Sequence, residues 1–206
     1  MNRPDDHDQD AAELGARGVA ELSSVLRRLG SEHWSAVRVL ADDVRQAWRG
    51  SGKLLVCGNG GSAADSQHLV AELVGRYRAE RPGWAAIALT VNTSTLTAVA
   101  NDYGYEAVFA RQVDALGDPG DVLLVISTSG DSPNCIAAVD AARRRGLRVH
   151  GFLGRGGGAL RERVDSALIV PSDDTPRIQE VHVAMIHLLC ELLESRRLAE
   201  DEARDP

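Results

Sequence analysis

The stretch "CGNGGSAADSQHLVAE", Cys57 to Glu72, carries residue types at spacings that chemistry uses. Gly58, Gly60 and Ala63 follow an apolar run and fit G-x-G-x-x-[GA], a turn that lets backbone approach a pyrophosphate. A dinucleotide site also needs an acid near the end of the second strand to hold the ribose, and "IALTVNTS" offers none there. The glycines then serve a tight turn and close helix packing. His68 and Glu72 are four positions apart, so on a helix both project from one face, and an imidazole and a carboxylate so placed can share a cation.

A second loop, "ISTSGDSPN" (Ile126 to Asn134), puts four hydroxyls, Ser127, Thr128, Ser129 and Ser132, between a strand and a helix. Ser132 is a good N-cap residue and Pro133 a good first helical residue. A helix N-terminus ringed by hydroxyls suits a phosphate monoester, because it supplies donors and a favourable dipole without a lysine. No Walker lysine follows the glycines, which argues against hydrolysis of a nucleoside triphosphate. Asp131 is awkward beside a phosphate and is expected to face solvent.

Apolar runs of strand length must present these loops: residues 53–58, 85–89, 121–127, 148–153 and 167–171. They alternate with helical segments, the pattern of a parallel sheet covered on both faces, whose ligands sit at the carboxyl ends of the strands. Ahead of them, Ala11 to Arg49 reads as two amphipathic helices broken at Gly30-Ser31. A last helix, residues 177–197, is apolar around most of its circumference and is expected to lie against the sheet or another subunit. The expected division is a disordered tail at 1–10, N-terminal helices at 11–50, the sheet domain at 51–197 and a second disordered tail at 198–206.

With 206 residues and 44% hydrophobic content, the chain can bury one sizeable core. Its net charge of -7 argues against nucleic acid and anionic membrane surfaces, and the "RRR" at 143–145 reads as a solvated helix face. No apolar run is long enough to span a membrane and the N-terminus lacks the apolar core of a secretion signal. The three cysteines, Cys57, Cys135 and Cys190, form no C-x-x-C pair and read as reduced core thiols of a cytoplasmic protein.

Together, "CGNGGSAADSQH", "TAVANDYGY", "DVLLVISTSGDS" and "RIQEVH" resemble the sugar isomerase (SIS) domain, and within it the phosphoheptose isomerases, over residues 10–197. The resemblance implies a three-layer α/β/α SIS domain with a five-stranded parallel sheet. It implies interconversion of sedoheptulose 7-phosphate and glycero-manno-heptose 7-phosphate, a Zn²⁺ cofactor and a homotetramer. His68, Glu72, Gln179 and His187 match the zinc ligands, with Glu72 and His187 also transferring protons. Asn59, Gly60, Gly61 and Ser62 match the sugar-lining turn, Asn101 and Asp102 contact sugar hydroxyls, and Ser127, Thr128, Ser129 and Ser132 hold the phosphate. Glu72 and Gln179 also match substrate contacts. His182 matches a supporting position, whereas His7, His33 and His150 match nothing. Pro176 stands where some relatives carry an aspartate, a role that would pass to Asp173 or Asp174. Two other readings share the fold: a catalytically silent SIS protein that binds a partner, and an isomerase of a different phosphosugar.

Helix geometry adds one expectation. Gln179 and His187 are eight residues apart on one helix, which separates their backbones by ~12 Å along the axis, against zinc bonds of ~2 Å. One of the two is therefore expected from a neighbouring chain, with Glu72 and His187 as the pair to be tested across chains.

Overall fold

The computed structural model describes residues 5–202. Two helices, α1 (Asp5–Arg27) and α2 (Ser31–Arg49), precede the alternating region. There follow β1 (Leu54–Gly58), α3 (Gly61–Val74), β2 (Ala86–Ala88), α4 (Thr93–Tyr103), α5 (Ala110–Leu116) and β3 (Val122–Ser127). The chain continues through α6 (Pro133–Arg145), β4 (Arg148–Leu153), β5 (Ser166–Ile169) and α7 (Thr175–Glu202), with short 3-10 segments at Tyr105–Ala107 and Arg155–Leu160. Residues 1–4 and 203–206 of the expected tails lie outside the described residues, and α1 and α7 extend into the remainder of those segments.

All five strands are parallel, in the order β2-β1-β3-β4-β5. The fold is thus α/β, with helices around one sheet and a helical N-terminus, as the sequence pattern predicts. Alternate residues of the central strands feed two cores. Leu54, Val56, Leu124 and Ile126 pack with α2, α3 and α7, while Leu55, Cys57, Leu123 and Val125 pack with α5 and α6. Both faces are covered, so every residue of β1 and β3 is buried and the strands read as unbroken apolar runs.

From β1 the chain passes to α3 on one face of the sheet, and from β3 to α6 on the other. The crevice between these diverging connections is where open α/β sheets receive ligands. Gly58 is in register with Ile126, which brings the glycine turn and the hydroxyl loop side by side at its mouth.

Candidate functional site

Gly58 ends β1 because nothing larger fits: a Cβ there would lie 2.8 Å from the carbonyl oxygens of Ile126 and Ser62. The close approach seats α3 directly on the strand ends. At the start of α3, a Cβ on Gly61 would strike the side-chain amide of Gln179, with its Cδ only 2.9 Å away. Seven residues on, the His68 and His187 rings meet edge to face with centroids 5.1 Å apart. His68 Nε2 also lies 3.3 Å from Glu72 Oε1. Helices α3 and α7 therefore run in parallel, with Gln179 at one end of their seam and His68, Glu72 and His187 at the other.

This placement separates the two residues that helix rise sets apart. Within one chain, Gln179 and His187 stand at separate points along the seam, and it is His187 whose ring meets that of His68, itself beside Glu72. Among the described residues, no group of three or more His, Cys, Asp or Glu is close enough to hold a metal ion. The donors themselves, two imidazoles and a carboxylate, are of the kinds zinc takes.

In the hydroxyl loop, the Gly130 N–H donates to Ser127 Oγ at 3.1 Å and the Asp131 N–H to Ser129 Oγ at 3.2 Å. Ser127 Oγ faces Ser132 Oγ at 3.4 Å, and Thr128 lies half-buried beside them. Ser127 and Ser129 accept from backbone, and one proton of the Ser127–Ser132 pair is spent between them, which leaves the other and that of Ser129 to donate outward. Ser132 stands at the N-cap of α6 with Pro133 after it, yet its side chain makes no capping bond. Asp131 is exposed as expected, but its Oδ1 accepts the Ala159 N–H at 2.7 Å, so it is tethered rather than free in solvent.

Asn59 and Asn134 exchange two amide hydrogen bonds, each 2.8 Å, tying the glycine turn to the first turn of α6. Tyr105 OH adds a bond to Asn59 Oδ1 at 3.3 Å. The Asn59 side chain is thus engaged within the protein. Ser62 is buried, whereas Gly60 and Gly61 are exposed at the turn. Asn101 Nδ2 donates to Asp102 Oδ1 at 2.8 Å near the end of α4, a helix with no buried residue. Asp173 and Asp174 are both exposed just before α7.

Sequence reasoning missed several neighbours. Asp65 is buried one turn before His68, with Oδ2 unpartnered, and burial raises its pKa to about 6 despite the pull of His68. Its spacing on the helix was the available signal. Tyr77 stacks on His187 with centroids 5.7 Å apart. Its loop is held by Glu194, which accepts the N–H groups of Tyr77, Arg78 and Ala79 and faces Arg81 at 3.3 Å. Burial opposes ionisation of Glu194, but these backbone donors and Arg81 outweigh it and hold the carboxyl below its ordinary range. His182 donates Nε2–H to the Leu153 carbonyl at the end of β4 and so anchors α7 on the sheet.

The SIS domain family model matches residues 19–154. A phosphoheptose isomerase of Roseiflexus sp. (strain RS-1) is 55% identical over 170 residues, 82% of this chain and 86% of that protein. One of Geobacter sulfurreducens is 52% identical over 189 residues, 92% of this chain and 97% of its own. Among solved structures, phosphoheptose isomerase GmhA from Neisseria gonorrhoeae superposes with a TM-score of 0.83 at 42% identity, covering 89% of this chain and 99% of that one.

Proposed function

The chain belongs to the SIS domain family and, within it, to the phosphoheptose isomerases, which are aldose-ketose isomerases; on that premise we propose that it interconverts sedoheptulose 7-phosphate and D-glycero-D-manno-heptose 7-phosphate by proton transfer through an enediol. The observation that carries this reading is the placement, at adjacent strand ends, of the hydroxyl loop beside the helix whose His68 lies next to Glu72 and meets the ring of His187.

In this reading the Ser127–Ser132 loop and the N-terminus of α6 receive the terminal phosphate. The glycine turn at Asn59 to Ser62, with Asn101 and Asp102, lines the sugar. Because the Asn59 amide is already engaged, that residue meets the sugar through its backbone. Glu72 and His187 carry protons between C1 and C2 and between the two oxygens, and either can act first. General acid-base help of this kind is worth ~10²- to 10⁴-fold in rate. The proton lost from C1 of the ketose is replaced by one delivered to C2, so no net redox change occurs.

The residues fit zinc: His68, Glu72 and His187 of one chain would hold it, and Gln179 of a neighbouring chain would complete the set. Bound there, zinc supplies Lewis-acid polarisation of the substrate's carbonyl and adjacent hydroxyl. The assembly that delivers the neighbour's Gln179 is a homotetramer in this reading. An apolar groove of about 450 Å³ between Trp34, Leu188 and Leu192 offers a face for such packing. Three unpaired thiols suit a reducing compartment, and we place the enzyme in the cytoplasm.

The test is an assay with sedoheptulose 7-phosphate, following the aldose by mass spectrometry before and after chelation. The expected outcome is turnover that chelation abolishes and added Zn²⁺ restores. No turnover would refute the assignment, and full activity in metal-free protein would refute the zinc.

A further inference from the structure

Four consecutive residues, Arg155 to Gly158, have φ of 48°, 74°, 95° and 52°, all in the left-handed region. Glycine takes such φ at no steric cost, so the three glycines let the backbone curl closely against its surroundings, and only Arg155 is strained. Here the surroundings are the hydroxyl loop. Leu160 donates its N–H to the Gly130 carbonyl at 3.0 Å, and Ala159 donates its N–H to Asp131 Oδ1 at 2.7 Å. Contact is backbone against backbone: a Cβ on Gly130 would strike the Gly157 carbonyl, and one on Gly158 would lie 2.6 Å from both Asp131 Oδ1 and the Ser129 carbonyl. At its other end the segment grips the start of α7, where Arg155 donates Nε–H to the Asp173 carbonyl at 3.1 Å and a terminal N–H to Thr175 Oγ1 at 3.0 Å.

We propose that Asp131 is a positioning residue: by taking the Ala159 N–H it seats the Ser127–Ser132 loop on this glycine run and holds it in the shape that receives the substrate's phosphate. The inference rests on the reading of that loop given above. It also accounts for an acid beside an anion site, since the carboxylate is drawn onto Ala159 and away from the serine hydroxyls.

The test uses inorganic phosphate as probe on the full chain, reading the phosphate-induced rise in Tm alongside competitive inhibition of isomerisation. Asp131→Ala should weaken phosphate binding and raise KM for the phosphosugar together, by about tenfold, as loss of a charge-assisted hydrogen bond implies, with kcat held within about twofold. Asp131→Asn keeps an Oδ1 acceptor and should stay within about threefold of the parent. Gly158→Ala leaves Asp131 in place but crowds it, and should weaken phosphate binding as Asp131→Ala does. Parental phosphate affinity in Asp131→Ala or Gly158→Ala, an Asp131→Asn protein as weak as Asp131→Ala, or a loss falling on kcat instead of KM would each overturn the proposal. A parent protein that fails to bind phosphate would refute the reading of the loop, and the inference with it.

Discussion

His182 is sealed inside the molecule, and burial lowers its pKa to about 4 even though its bond to Leu153 works the other way. The unfolded chain therefore binds the extra proton first, so this group's contribution to stability is complete above about pH 6.5 and is lost as pH falls toward 4. The loss is on the order of 3 kcal/mol. His182→Gln should flatten the fall in stability between those pH values, measured by urea unfolding across a pH series; an unchanged slope would assign the acid sensitivity elsewhere. Glu72→Gln keeps shape and removes the carboxylate, so it should retain phosphosugar binding while ending exchange of the substrate's C1 and C2 hydrogens with solvent. Exchange at the parental rate would exclude Glu72 as the proton carrier. His68 and Glu72 were legible in the sequence because a spacing of four on a helix fixes their common face. Tyr77 and Asn134 were not, because each meets its partner through chain folding that no local period records.

The seam between α3 and α7 depends on a helix start without a side chain. Gly61→Ala should leave stability unchanged or raise it by up to about 1 kcal/mol, since alanine suits a helix better. The added methyl must displace the Gln179 amide, so kcat/KM should fall at least tenfold by roughly the loss of one polar contact to a charged group. Parental kcat/KM would show that Gln179 has no part in turnover. In the hydroxyl loop, replacing Ser127 and Ser129 together with alanine should raise KM strongly, each lost bond to a charged group being worth roughly 1.5 to 3 kcal/mol. Unchanged kinetics would put the phosphate elsewhere. The central strands were legible because burial on both faces leaves unbroken apolar runs, and β2 and β5, only partly buried at the edges of the sheet, come out at 3 and 4 residues, shorter than read. The 3-10 segment at Arg155–Leu160 was not legible, since a glycine run carries no periodicity to read.

For the whole molecule, the separation of Gln179 from His187 makes opposite predictions for two mixtures. Co-refolded Glu72→Gln and Gln179→Ala chains should regain activity above either parent, because some sites then take an intact His68–Glu72–His187 set from one chain and an intact Gln179 from another. Glu72→Gln mixed with His187→Asn should stay inactive, since every site inherits one lesion. Recovery in the second mixture only would reverse the assignment of which residue crosses over. The sequence could anticipate that the two ligands stand apart, because helix rise alone dictates it, but not which one stays at home, because that depends on how α7 slides along α3. A different consequence follows from the cysteines, all buried, on three separate elements: Cys57 on β1, Cys135 on α6 and Cys190 on α7. The neighbouring Cys135 and burial push the Cys57 thiol up, and burial pushes Cys190 up to about 12. None can be alkylated without an opening motion, so the labelling rate of each thiol is a clock for its own region. Cys190 reports excursions of the C-terminal helix, and Cys57 and Cys135 report partings of the sheet from its far layer, without any probe being introduced.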